Sequence, residues 1–417
     1  MKEKQPKLSP RRRPGRKKLA LRIIRNAALS LLFGVVIILV LAWSLMFTIA
    51  HGPSPAMRDY LVGMAMQASA TKFVPYLVLS SADVDAILEA GAKENASVYS
   101  PTDMSSRIIK KIVRDENGDV HEITVLQYDN GTAVVSGEGT GEPVEYDEWK
   151  YAIDEIQFIT INRPSFKAYM LIIRDPSRVY VGTSTDYKNN LPGKRFFEMA
   201  EQEGCVAMIN GGEFSDAGGT GNGAHPEGLT YSRGKRVWSD ENTWKTFIGF
   251  DGENRLHVFE GLTPAEAEAL GMRDGLCFRP QKTSSSGRLI YSDDAGNVHV
   301  STFGTSSPAQ RSAIGQRADG AVIFLVTDGR SAASMGASYN DMSQLMLEYG
   351  AVTAGMLDGG SSAMLYLRDY YTKYTGYKYD KLDKYQQMGL VNKYVAATTP
   401  RRIPTYWCVA PSAGGES

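Results

Sequence analysis

The stretch AGMLDGGSSAMLYL, residues 354–367, places a carboxylate between an apolar run and a turn built only from small residues. The apolar run AVTAGML (351–357) has the length of a strand. The residues after it are Asp358, Gly359, Gly360, Ser361 and Ser362. A hairpin would explain the glycines alone. A similar arrangement recurs at two other places in the chain, which favours a functional site over a simple turn.

Two further apolar runs end in the same way. CVAMI (205–209) is followed by Asn210, Gly211 and Gly212, and AVIFLVT (321–327) is followed by Asp328, Gly329 and Arg330. Polar residues just past strand ends often form sites, and glycines there let backbone N–H groups approach a ligand. Two carboxylates, an amide and an arginine would make a polar centre that can hold a phosphate and move a proton.

Three more side chains are candidates, each with an ordinary structural alternative. Glu213 follows the Asn-Gly-Gly turn but resembles any exposed turn glutamate. His225 lies in the glycine-rich loop GNGAHPEGL, where a solvated histidine is common. Arg311 in QRSAIG could bind an anion or form a surface ion pair.

The motifs predict no metal site and no cofactor. The five histidines are scattered without zinc-ligand spacing, and GGTGNG lacks the spacing of a dinucleotide-binding loop. A divalent ion on the same carboxylates stays open, although no spacing indicates one. No GxSxG elbow is present, so the serines lack the context of a hydrolase nucleophile. Three distant cysteines allow at most one disulfide.

The N-terminal region predicts a membrane anchor. Residues 1–25 carry eleven Lys or Arg and one acidic residue, which leaves 35 basic and 45 acidic residues in the remainder. The next run, Ala27–Ala50, is uncharged, and its 24 residues would form a helix of about 36 Å that can cross a bilayer with some tilt. A cleaved signal peptide has a shorter apolar core. We expect a single-pass protein with residues 1–26 in the cytoplasm, a signal anchor at 27–50 in the lipid bilayer and the rest outside.

The exported part is predicted to be α+β, with a mixed β-sheet core and packed helices. Residues 51–154 favour helices and β-hairpins near the membrane, including a helix with Ser81 as its cap and Gly91 as its stop. In residues 155–410 strand signals dominate. A helix in NDMSQLMLEYGA places Met342, Leu345, Met346 and Tyr349 on one face and begins near Asn340. The acidic balance outside the membrane argues against a nucleic-acid partner.

At these motifs the chain resembles the phosphodiester glycosidase family. The resemblance rests on INGGEF, HPEGLTYSRGK, RSAIG, DGAVIFLVTDGR, YNDMSQLMLEYGAVTAGMLDGGSSAM and TTPRRIPTYWCV, in this order over roughly residues 155–410. It matches Asn210, Gly211, Arg311, Asp328, Arg330, Asp358, Gly359, Gly360 and Ser362 to family motif positions. Glu213 and Ser361 stand where the family commonly has Phe and Gly.

The resemblance implies hydrolysis of the bond between a sugar, such as N-acetylglucosamine, and a phosphodiester, in cell-envelope or exopolysaccharide processing. We expect Asp358, Asp328 and Arg330 to be catalytic. The residues expected to bind the substrate are Asn210, Gly211, Gly212, Glu213, His225, Arg311, Gly359, Gly360, Ser361 and Ser362. The residues alone leave two other readings open: a non-catalytic module that binds phosphate-containing envelope glycans, and a transferase that passes the sugar to a polymer.

Overall fold

The computed structural model describes residues 16–67, 71–91, 94–99, 107–114, 120–127, 133–136, 144–146, 149, 152–187, 189–216, 221–240, 245–278, 287–303, 307–329, 331, 334–374, 378–394 and 399–413. Its α-helices are α1 (Arg16–His51), α2 (Pro55–Gln67), α3 (Ser81–Gly91), α4 (Phe196–Glu203), α5 (Pro264–Ala269), α6 (Tyr339–Glu348) and α7 (Lys384–Gln387). Most of the basic arm lies outside the described residues. Within α1, Ile23–His51 is long and apolar enough to cross a membrane by length and composition, and none of its most apolar window is buried.

The strands of the described residues form four sheets. The largest has the order β1-β16-β15-β19-β17-β18-β7-β6, and a second has the order β11-β10-β14-β12-β13. Two smaller sheets have the orders β2-β3-β4-β5 and β20-β9-β21-β8. The bounds are β1 (Glu94–Tyr99), β2 (Arg107–Arg114), β3 (Val120–Gln127), β4 (Ala133–Ser136), β5 (Val144–Tyr146), β6 (Ile156–Asn162), β7 (Lys167–Ile173), β8 (Val179–Thr183), β9 (Ala207–Asn210), β10 (Leu229–Ser232), β11 (Lys235–Ser239), β12 (Thr246–Asp251), β13 (Leu256–Glu260), β14 (Met272–Cys277), β15 (Arg288–Ser292), β16 (Val298–Phe303), β17 (Ser312–Arg317), β18 (Val322–Thr327), β19 (Ala351–Leu357), β20 (Leu365–Leu367) and β21 (Thr405–Val409).

The predicted α+β class, with a sheet core and packed helices, is confirmed. β17 pairs antiparallel with both β18 and β19, so its first residues lie beside the last residues of its two neighbours. The second sheet packs on the first at Gly355 of β19, where a Cβ atom would lie 2.6 Å from Cδ1 of Ile248. This close approach explains why the strand that leads to Asp358 carries a glycine.

Both helices begin closer to the N-terminus than predicted. α6 begins after Ser338, whose hydroxyl accepts the Asp341 N–H while the Asp341 carboxylate accepts the Ser338 N–H. This reciprocal pair satisfies two backbone donors at once, and Asn340 instead bonds the backbone of Phe303 in β16. For α3, the hydroxyl of Ser80 rather than Ser81 accepts from the helix, at the N–H of Asp83.

Candidate active site

Three strand ends meet at one edge of the largest sheet. Ser312, the first residue of β17, pairs with Val326 near the end of β18 and with Leu357 at the end of β19. The residues that follow those strands, Asp328 and Asp358, therefore lie on opposite sides of the start of β17. Two strand spacings separate them, which is about 10 Å between backbones.

Asn210 joins the sheet of β9 to this edge. Its amide nitrogen donates to the Asp358 carbonyl at 2.6 Å, and its amide oxygen accepts from the Ser312 hydroxyl at 2.7 Å and from the Met364 N–H at 3.1 Å. The Asp358 N–H in turn donates to the Gly211 carbonyl at 3.1 Å. Asn210 is fully buried, so it holds the backbone of the site in place. Its role as a substrate ligand stays a prediction.

Asp358 is partly exposed as a residue, but its carboxyl is surrounded by protein groups. Burial raises the pKa of this carboxyl to about 7, and the Glu213 carboxylate adds to the rise. The Ser362 hydroxyl and the Arg401 guanidinium act in the opposite direction. Ser362 is buried and makes no well-formed hydrogen bond to a residue that the structure describes, but its dipole favours the charged carboxylate. A carboxyl that titrates near neutral pH can give or take a proton under physiological conditions.

Glu213 is held by a buried lysine. The Lys245 ammonium lies 2.7 Å from a Glu213 oxygen and 2.7 Å from a Glu227 oxygen, with its side chain only 4% exposed. Burial alone would lower the pKa of Lys245, but the two carboxylates outweigh it and raise that pKa. Glu213 therefore stands beside Asp358 as a fixed negative charge.

Arg311 is buried and bonded to the backbone. Its Nη2 donates to the Ser307 carbonyl at 2.7 Å, its Nε donates to the Ala337 carbonyl at 3.2 Å, and the guanidinium lies 4.2 Å from the centroid of the Tyr339 ring. Burial raises the pKa of Tyr339, and the charges of Asp358 and Glu213 add to this while Arg311 opposes it. Arg311 thus supplies positive charge close to the carboxylates. Its role as an anion ligand stays a prediction.

Asp328 has a different set of partners from Asp358. Its carboxylate accepts from the Lys393 N–H at 2.9 Å and from the Tyr169 hydroxyl at 3.2 Å, and it is 8% exposed. Burial raises its pKa, while the bonds from Lys393 and Tyr169 oppose the shift. The two aspartates share no hydrogen-bond partner among the described residues, and the start of β17 lies between their backbones. A catalytic role for Asp328 stays a prediction.

The small-residue turn after Asp358 approaches other backbone closely. Gly360 has φ of 61°, a left-handed conformation that favours glycine, and its N–H donates to the Gln310 carbonyl. A Cβ atom on Gly359 would lie 2.8 Å from the same carbonyl. Ser361 accepts a bond from Arg401 at 3.3 Å. The glycines are therefore required by backbone geometry, whatever ligand they contact.

Of the remaining predicted residues, the structure describes Gly212 and His225. Gly212 contacts β14 so closely that a Cβ atom would lie 2.1 Å from the Cys277 carbonyl oxygen. His225 packs on Trp238, with 4.8 Å between the ring centroids, and its carbonyl accepts from the Ser215 N–H. Arg330, predicted to bind phosphate, lies outside the described residues.

Three residues beside the site were not predicted from the sequence: Lys245, Tyr339 and Arg401. Arg401 bonds Ser361 and forms a 2.8 Å ion pair with Asp216. Arg401 belongs to the closing motif TTPRRIPTYWCV, and the family resemblance of this motif could have indicated a place in the site. Lys245 is 32 residues from Glu213 and stands in no motif. Among the described residues, no group of three or more His, Cys, Asp or Glu could hold a metal ion.

Comparison with known proteins identifies a family. A family model described as phosphodiester glycosidase matches residues 203–410. The chain is 47% identical over 53 residues to the SPbeta prophage-derived uncharacterized protein YomE of Bacillus subtilis (strain 168), and these residues are 13% of the chain and 8% of that protein's length.

Solved structures with a similar chain trace include two proteins at 14% identity. One is the zebrafish N-acetylglucosamine-1-phosphodiester alpha-N-acetylglucosaminidase catalytic domain, auto-inhibited by its pro-peptide, with a TM-score of 0.43 over 76% of this chain and 88% of that one. The other is a hypothetical protein from Synechocystis, with a TM-score of 0.38 over 73% and 80% of the two chains.

Proposed function

We infer, from the membership of residues 203–410 in the phosphodiester glycosidase family, that this chain hydrolyses the bond between a sugar and a phosphodiester. We further propose that α1 anchors it in a membrane with the domain outside the cell, where it acts on phosphate-containing glycans of the envelope. The structural observation that carries the catalytic part of the proposal is the Asp358 carboxyl, which Asn210 and Gly211 fix through its backbone at the end of β19 and whose pKa is raised to about 7.

Asp358 is the group that we assign to proton transfer at the departing phosphate oxygen. The charge that leaves with the phosphate needs positive partners. Arg401, which bonds Ser361 and whose charge favours ionised Asp358, is one described cation at this place. Glu213, where the family commonly has Phe, is fixed by Lys245 and is 29% exposed. We propose that it accepts hydrogen bonds from the sugar, which would make the sugar preference of this chain differ from that of members with Phe.

The pH dependence of turnover tests this assignment. If protonated Asp358 donates the proton, kcat/KM should fall about tenfold per pH unit above pH about 7. Glu213→Gln removes a neighbouring negative charge, so it should lower the pKa of Asp358 and move the fall to lower pH. If kcat/KM falls as the pH drops below 7 instead, Asp358 acts as a base or nucleophile. If kcat/KM shows no step near pH 7 in the parent and the same pH dependence in Glu213→Gln, Asp358 takes no part in the reaction.

Product analysis tests the reaction itself. The chain should release free sugar and a phosphomonoester from an N-acetylglucosamine 1-phosphodiester, measured by ³¹P NMR and chromatography, with and without acceptor glycans. Transfer of the sugar to an acceptor in place of water would identify a transferase. Saturable binding without any product would identify a binding module.

A further inference from the structure

The last turns of α1 have the features of a membrane interface. The uncharged run begins at Ala27, and about 20 residues of helix, or about 30 Å, match the thickness of a bilayer's hydrocarbon core and end near Phe47. Trp43 would then lie one helical turn inside the outer edge of the hydrocarbon, close to the interface at which tryptophan is enriched. It begins an aromatic row along one face, with 5.3 Å between the rings of Trp43 and Phe47 and 4.3 Å between those of Phe47 and His51.

The turn at residues 71–79 lies at the level of Trp43. The Trp43 indole Nε1 donates to the Leu77 carbonyl at 3.3 Å. The turn exposes three large side chains, Phe73 at 60%, Tyr76 at 45% and Leu77 at 52%. Clustered exposed apolar groups beside a spanning helix are typical of a surface that contacts membrane.

The backbone of the turn suits a weakly hydrated layer. The N–H groups of Val74, Leu77, Val78 and Leu79 donate within the turn, to the carbonyls of Thr71, Val74 and Pro75. With the indole of Trp43 on the Leu77 carbonyl, four N–H groups and four carbonyls of the turn are paired, which favours backbone in a weakly hydrated layer. The exposed Lys72 can keep its ammonium at the headgroups while its stem lies along the apolar surface.

The helix α3 limits how deep the turn can lie in the bilayer, and a cavity beside the turn favours contact with hydrocarbon. α3 follows directly and exposes Asp83, Asp85 and Glu89, which must stay in water. An apolar cavity of about 240 Å³ lies between α1, α2 and the turn, lined by residues such as Met46, Ile49, Leu61 and Val74. Hydrocarbon matches such a lining better than water does. The acidic side chains of α3 thus allow the turn to enter the bilayer only as far as the boundary between headgroups and hydrocarbon.

We propose that the turn at residues 71–79 is a second membrane contact, which lies in the outer interfacial layer of the bilayer with Phe73, Tyr76 and Leu77 in lipid. The inference rests on the proposed anchoring by α1. It also brings the candidate site towards the membrane, because the Ser307 hydroxyl donates to the Tyr60 carbonyl of α2 while the Ser307 carbonyl holds Arg311. A glycan attached at the membrane surface is the substrate that such a position favours.

The test uses depth-dependent fluorescence quenching of the full chain in phosphatidylcholine nanodiscs. Leu77→Cys is labelled with an environment-sensitive dye, since the described native cysteines are buried. Leu39→Cys in α1 and Leu270→Cys, 48% exposed on the folded domain, are the matched controls. Phe73→Cys repeats the measurement if the Leu77 variant does not fold. Quenchers are carried near the headgroup end or near the middle of an acyl chain.

We expect the dye at position 77 to lose fluorescence to the shallow quencher, the dye at 39 to lose it to the deep quencher and the dye at 270 to lose it to neither. Quenching at 39 without quenching at 77 or 73 overturns the interfacial contact and leaves the anchor standing. No quenching at any position shows that α1 does not span, which overturns both the anchor and this inference but not the glycosidase assignment.

Discussion

Asp358→Asn is expected to lower kcat on a sugar 1-phosphodiester by about 10²–10⁴-fold, the usual cost of losing a positioned acid or base. The change hardly alters volume, and asparagine suits a turn as well as aspartate does. Substrate affinity should change far less than kcat. Steady-state kinetics on the purified protein measure both quantities. Parental turnover in a folded variant would show that Asp358 serves only the turn.

The same variant carries a stability signature that a purely catalytic assay does not detect. Because the folded-state pKa of Asp358 is raised from 3.8 to about 7, the folded protein binds more protons than the unfolded chain between these values. The parent should therefore lose stability relative to Asp358→Asn as the pH rises from about 4 to 7. Thermal unfolding at several pH values measures this, and a constant difference between the two proteins would contradict the buried-carboxyl environment.

Asn210→Ala is expected to give the largest loss of stability among the site variants. The substitution leaves the Asp358 carbonyl, the Ser312 hydroxyl and the Met364 N–H without their bonds to the buried amide. Each unsatisfied buried group costs about 1–3 kcal/mol, so a loss of at least about 3 kcal/mol in the free energy of unfolding is expected. Denaturant unfolding measures it.

An exposed asparagine supplies the control for that measurement. Asn340→Ala removes side-chain bonds to the backbone of Phe303, but from an exposed position, so its cost should be smaller. Equal stability of Asn210→Ala and the parent would mean that Asn210 does not join β9 to the strand edge. Asn210 would then be available as a direct ligand of the substrate.

Local pattern was enough to predict the strand ends of the site. The apolar runs before Asn210, Asp328 and Asp358 form β9, β18 and β19. Their short length and the glycines that follow them favour buried strands over helices. The helix face with Met342, Leu345 and Met346 is buried as predicted. These features depend on neighbours in sequence and on burial alone.

Pairing across strands could not be predicted in the same way. No local pattern shows that β17 enters between β18 and β19, so the separation of Asp328 from Asp358 depends on sheet order. The role of Glu213 depends on Lys245, which is distant in sequence and carries no motif. The sequence also did not show whether the glycines serve the backbone or a ligand. Gly360 has a positive φ, so Gly360→Val would strain the backbone and could not test whether Gly360 contacts the substrate.

The bond that is broken tests the central claim most directly. Hydrolysis of an N-acetylglucosamine 1-phosphodiester in H₂¹⁸O by a glycosidase breaks the bond between the sugar carbon and the phosphate oxygen, so the water oxygen enters the sugar. We expect a phosphomonoester without ¹⁸O, detected by mass spectrometry and by the absence of an isotope shift in ³¹P NMR. ¹⁸O in the phosphate would show cleavage of the phosphorus–oxygen bond and contradict the assignment as a phosphodiester glycosidase.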